Sequence, residues 1–143
     1  MTRVSFYILN DDSNRSRSLF ICRLAQKAYR SGANIYIHTA SAEQSSDLDT
    51  LLWTFNRVSF IPHARTDQDE EQHGESVLLG HQQAPESSHD ILINLSPQVP
   101  LFFSRFERVM EVINQDESTK EDGRERYRFY KERGYELESH TIK

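Results

Sequence analysis

A chain of 143 residues with 36% hydrophobic residues and one cysteine has room for a core of its own and lacks the material for a disulfide framework. No run approaches the roughly 18 apolar residues of a membrane span, and the apolar stretch of MTRVSFYILNDD is too short for a signal peptide, so a cytoplasmic protein is expected. The formal charge of -5 argues against wholesale coating of nucleic acid, an affinity that comes from clustered Lys and Arg neutralising phosphates.

Residues 3–9, RVSFYIL, are β-branched and aromatic and predict a buried strand, stopped by Asn10, Asp11, Asp12 and Ser13. Ile21, Leu24, Ala25, Ala28 and Tyr29 then recur at helical spacing, with Gly32 where a helix C-cap belongs and Cys22 packed inside. NIYIH, residues 34–38, predicts a second strand. Ser41 caps a helix running through Trp53, with Leu48, Leu51 and Leu52 on its inner face. RVSFI, residues 57–61, predicts a strand ending at Pro62. Beyond an acidic loop, SVLL at 76–79 and DILINL at 90–95 flank the polar loop 81–89, and DILINL is apolar enough to be central in a sheet. Phe103, Phe106, Val109, Met110 and Ile113 fall at helical spacing and predict a third helix. Ser118 and Glu121 have capping-box spacing and open a last helix ending at Gly134, leaving YELESHTIK as a tail. Strands alternating with helices imply an α/β fold, a single domain over residues 1–143 with a largely parallel sheet flanked by helices.

The charge is unevenly laid out. Residues 66–76 hold Asp67, Asp69, Glu70, Glu71 and Glu75 with no Lys or Arg, so this loop alone carries the net charge and the rest balances. The segment 118–134 is locally basic, with Lys120, Arg124, Arg126, Arg128, Lys131 and Arg133 against four acids.

Open parallel sheets place ligands at the carboxyl ends of their strands, which directs attention to Asp11 and Asp12 after the first strand. Paired acids there would suit a small metal-dependent phospho-enzyme. Such a site needs another carboxylate at a neighbouring strand end, yet the other strands end in Pro-His and Ser-Pro, and helix capping accounts for Asp11, Asp12 and Ser13. The five glycines, at 32, 74, 80, 123 and 134, form neither a phosphate loop nor a dinucleotide fingerprint. A G-x-S-x-G elbow is absent, and the six histidines show no paired ligand spacing, so no catalytic residue, metal or cofactor is expected.

Two surfaces suit binding. Arg124, Tyr127, Arg128 and Lys131 lie at i, i+3, i+4 and i+7 on the last helix, and three cations around a ring suit an acidic, partly apolar peptide that Ile113 helps to bury. The same face would also pair with phosphates, as in a direct single-stranded DNA binder, and the same spacing serves a plain solvated helix. In LLWTFNRVSFIPH, residues 51–63, the residues Trp53, Phe55, Phe60 and Pro62 exceed what one helix end and one strand need for packing, which points to an aromatic anchor patch.

With these residues laid out, the chain resembles the chi subunit family of bacterial DNA polymerase III, small accessory proteins of the clamp loader. The resemblance rests on FYIL followed by acids, AYRSG, LLWTFNRVSFIPH, HDILINL and RERYRFYKERGYEL, and runs the full length. It implies a nucleotide-binding-like fold without a nucleotide site and a noncatalytic subunit of a polymerase complex. It further implies a bridge between the psi subunit and the acidic C-terminal tail of single-stranded DNA-binding protein, so that DNA is met mainly indirectly. By position, the tail would meet Arg124, Tyr127, Arg128 and Lys131, with Ile113 near the pocket for its terminal phenylalanine. Psi would meet Trp53, Phe60 and Pro62.

Overall fold

The computed structural model describes residues 1–56, 61–67 and 76–142. Among these, seven strands form one sheet: β1 (Arg3–Leu9), β2 (Ile35–His38), β3 (His63–Arg65), β4 (Val77–Gly80), β5 (Ile91–Asn94), β6 (Arg108–Ile113) and β7 (Glu136–Ile142). Their order is β3-β4-β2-β5-β6-β1-β7, and every pairing is parallel. The expected central strand, β5, is the fourth of the seven. Three helices, α1 (Asn14–Arg30), α2 (Ala42–Thr54) and α3 (Glu117–Glu132), cover the faces.

The strand period of two divides the core. Ile35, Ile37, Ile91, Ile93, Met110 and Val112 face one side, with Ile21, Cys22 and Ala25 of α1 and Leu48 and Leu52 of α2. Tyr36, Leu92, Val109, Ile113, Val4 and Phe6 face the other, with Tyr130 of α3 and with Phe103 and Phe106. Cys22 is fully buried, and burial pushes its thiol up to about 12.

Helix ends follow local chemistry. Ser13 caps α1 by accepting from Ser16 N–H, and Ser41 caps α2 by accepting from Gln44 N–H. After α1 and α3, Gly32 (φ 90) and Gly134 (φ 80) take the left-handed conformation while the amides around them return to the last carbonyls: Gly32 to Tyr29, Ala33 to Ala28, Gly134 to Lys131 and Tyr135 to Tyr130. Both are Schellman closures, which glycine enters without a Cβ penalty.

Four expectations are corrected. Residues 103–113 are not a helix: Phe103–Arg105 form one 3-10 turn, and Arg108–Ile113 run as β6 between β5 and β1. Their spacing imitates a helix, but Val109 and Met110 point to opposite faces of the sheet. The tail is a strand, β7, paired with β1 from Arg3↔Glu136 to Leu9↔Ile142. Asp116, not Ser118, caps α3, accepting from Thr119 N–H. Of the strand expected at 57–61, residues 57–60 lie outside the described residues; Ile61 and Pro62 have no strand structure, and pairing begins at His63. Of the acidic loop 66–76, residues 68–75 likewise lie outside the described residues, while Asp67 binds the Arg65 guanidinium through both oxygens, at 3.0 and 2.7 Å. The polar loop 81–89 is pinned by Arg105, whose Nη2 donates to the carbonyls of Ala84 and Pro85.

Candidate functional site

The basic segment folds so that neighbouring cations meet different fates. Arg126 turns inward and is 3% exposed. Its Nε donates to Glu111 Oε1 at 2.8 Å and its Nη1 to the Pro97 carbonyl at 3.0 Å, while its Nη2 is buried without a partner among the described residues. Glu111, fully buried on β6, also accepts from Tyr130 Oη at 2.8 Å and Asn94 Nδ2 at 3.0 Å. Burial and the neighbouring carboxylate raise the Tyr130 phenol. Arg17 of α1 comes from the opposite face, its Nε on the Val112 carbonyl at 2.8 Å; burial first and Arg126 second lower its pKa to about 10. A charged clamp thus fixes α3 on the sheet. Such a clamp orients more than it stabilises, because desolvating the ions offsets much of their attraction.

Held this way, α3 turns Arg124 outward over a cleft of about 250 Å³. Phe6 and Ile8 of β1, Ile113 of β6 and Ser139 of β7 form its floor and far side, and Lys120, Gly123, Arg124 and Tyr127 form its helical wall. The lining is largely apolar with two cations at the rim. Tyr127 is half-buried, its ring edge-on to Phe6 at 5.2 Å. Arg124 and Lys131 have no ion pair among the described residues, whereas Lys120 lies 3.7 Å from Glu117 and Arg128 lies 3.0 Å from Glu125. The last two are exposed pairs of the kind worth at most about 1 kcal/mol, so an incoming carboxylate can replace the partner.

Of the residues singled out in the sequence, Ile113, Arg124 and Tyr127 come together around this cleft. Arg128 and Lys131 do not line it; they continue along the same exposed side of α3, Lys131 about 10 Å beyond Arg124 at 1.5 Å per residue. Lys120, Gly123, Phe6 and Ser139 were missed. Lys120 was recoverable, being four residues before Arg124 on the same stripe, but no sequence signal shows that β7 exists to bring in Ser139.

The second surface is partly visible. Trp53 is 52% exposed at the end of α2, its ring 4.4 Å from that of His63, and Pro62, which precedes His63 in the chain, is half-buried. Phe60 lies outside the described residues. Among the described residues the aromatic character of the patch rests on Trp53, since Phe55 is packed against the core.

At the carboxyl ends of β2 and β5, where open sheets bind ligands, a cavity of about 380 Å³ is lined by His38, Thr39, His81, Ser96 and the loop 97–101. Asp11 and Asp12 are not in it; Asp11 Oδ1 accepts from Ser13 N–H beside the α1 cap, and among the described residues no carboxylate lines the cavity. Among the described residues no three His, Cys, Asp or Glu side chains gather as a metal site, and no helix is long and apolar enough to cross a membrane.

Known proteins share both the sequence and the architecture. A family profile described as "DNA polymerase III chi subunit, HolC" matches residues 1–138. DNA polymerase III subunit chi of Pseudomonas aeruginosa is 39% identical over 142 residues, covering 99% of this chain and 98% of that protein. The Escherichia coli protein of the same name is 28% identical over 147 residues, covering both in full. Among solved structures, T4 UvsW superposes with a TM-score of 0.70 at 9% identity, covering 99% of this chain; the chain spans 41% of that structure, and the likeness concerns the fold alone. The fold and the match along nearly its whole length agree, and the chain belongs to the DNA polymerase III chi subunit family.

Proposed function

We propose that this chain is a noncatalytic accessory subunit of the cytoplasmic replicative polymerase, bridging the psi subunit of the clamp loader and the acidic C-terminal tail of single-stranded DNA-binding protein. The observation that carries the reading is the cleft beside α3. An apolar recess with Lys120 and Arg124 on its rim, continued by Arg128 and Lys131, has the chemistry of an acidic peptide ending in an apolar residue. The recess buries the terminal side chain, Arg124 holds a carboxylate, and the rest of the peptide follows the cationic stripe. DNA is then reached through the partner protein. The half-exposed Trp53 with Pro62, on a different element, is the surface for psi.

Titrating a labelled acidic peptide with a C-terminal phenylalanine tests the first surface. Arg124→Ala removes a charge-assisted bond of about 1.5–3 kcal/mol, so affinity should fall roughly 10- to 100-fold, and wild-type binding should weaken as salt rises. Unchanged affinity sinks the assignment, and oligonucleotide binding by the isolated chain on the same residues would favour direct DNA contact instead. Co-elution with psi separates the surfaces: Trp53→Ala should lose psi and keep the peptide.

A further inference from the structure

The floor of the cleft contains a close approach between α3 and β6. Gly123 sits in the middle of α3, where glycine is a poor helix former, and its φ is not in the left-handed region. Space explains it. A Cβ at 123 would fall closer to Ile113 Cδ1 than real Cβ atoms come, and 2.9 Å from Ile113 Cγ1. The end of the Ile113 side chain therefore occupies the volume that any larger residue at 123 would fill.

We propose that the Gly123–Ile113 contact sets the depth of the cleft and thereby selects the apolar side chain that it admits. Ile113 is 7% exposed and packs with Phe6, Val109 and Tyr130 in a core cluster, so a displaced Cδ1 methyl has no room on that side. The empty volume is the cleft itself, which both residues line. With glycine at 123 the methyl tucks under the helix and the recess stays deep enough for an aromatic ring. With alanine there, the methyl swings into the recess and shortens it.

This rests on the peptide-binding reading above, and one experiment separates the two. In Gly123→Ala the Ile113 δ1-methyl should move against the Tyr127 ring, read as a shifted methyl resonance with new contacts to that ring and no ligand present. Thermal stability should change little, because the roughly 1 kcal/mol that alanine brings to the helix offsets most of the cost of moving the methyl. Affinity for an acidic peptide ending in phenylalanine should drop about tenfold or more, while the same peptide ending in alanine changes little. Adding Ile113→Val removes the nearer of the two crowding atoms, leaves only the 2.9 Å approach of Cγ1 to relax, and should restore phenylalanine binding to within about threefold of wild type. An unmoved methyl overturns the proposal, as does full phenylalanine affinity in Gly123→Ala or a double variant that stays weak. Failure of the wild-type chain to bind any acidic peptide overturns the functional reading, and the methyl experiment still decides whether the contact sets the cleft depth.

Discussion

Replacing Glu111 with alanine should be among the most damaging single changes in this chain, although Glu111 touches no solvent and no expected partner. The carboxylate receives three donors, from Arg126, Tyr130 and Asn94. Without it the Arg126 guanidinium, 3% exposed, keeps only its bond to the Pro97 carbonyl, and stranding a buried charge costs about 3–5 kcal/mol. The Tyr130 hydroxyl is orphaned as well, at about 1 kcal/mol, so the total comes to about 4–6 kcal/mol, a large share of the roughly 5–15 kcal/mol that holds a domain together. With a urea slope of about 2 kcal/mol per molar, the unfolding midpoint should drop by about 2–3 M. Tyr130→Phe removes one donor and leaves the ion pair, for a loss of about 1 kcal/mol. Adding Arg126→Met to Glu111→Ala should recover part of the damage, because the stranded charge is gone. A loss below about 1.5 kcal/mol for Glu111→Ala, or no recovery in the double variant, would refute the reasoning.

Two further predictions concern buried titratable groups. His38 is nine-tenths buried, and its imidazole is held below the usual range by burial first and by His81 second. The unfolded chain takes up this proton near pH 6.5, as the folded chain resists it, so stability should fall as the pH drops below about 6.5. His38→Gln should flatten that part of a melting-temperature profile, and a variant as acid-sensitive as wild type would count against the assignment. Cys22, with its thiol pushed up to about 12, should resist a thiol reagent at about pH 8 in the folded chain and react on unfolding; prompt native labelling would contradict its burial.

The parts of the fold legible in the sequence are those governed by local chemistry. Ser13 and Ser41 cap the helices they precede, Gly32 and Gly134 close α1 and α3, and DILINL lies in the centre of the sheet. Residues 103–113 were misread because a strand buried on both faces has a continuous apolar run, and such a run satisfies helical spacing by accident. Glu111 within VMEVI lies between the apolar positions that suggested a helix, while in the fold it is the acid that locates α3. Its three donors come from β5 and α3, and no window of neighbouring residues contains that information. In the same way Arg124 and Tyr127 were legible as one helical stripe. The recess beneath them was not, since β1, β6 and β7 supply its floor and far side from distant parts of the chain. The polar, largely exposed β7, with glutamates at 136 and 138, carries no strand signature of its own and exists because β1 offers it a partner.

That pairing has a consequence for how the molecule is made. Phe6 lies opposite Ser139 in the register of β1 with β7, so the cleft draws its walls from both ends of the chain. During synthesis α1, α2 and β2 to β5 can begin to organise while β1 still lacks both of its neighbours, β6 and β7. Long-range parallel pairing of this kind is slow, because the loop must close before the contacts reward it. A growing chain therefore has no competent cleft until its closing strand is in place, and a product shortened within β7 would keep much of the sheet and helices while losing a side of the site.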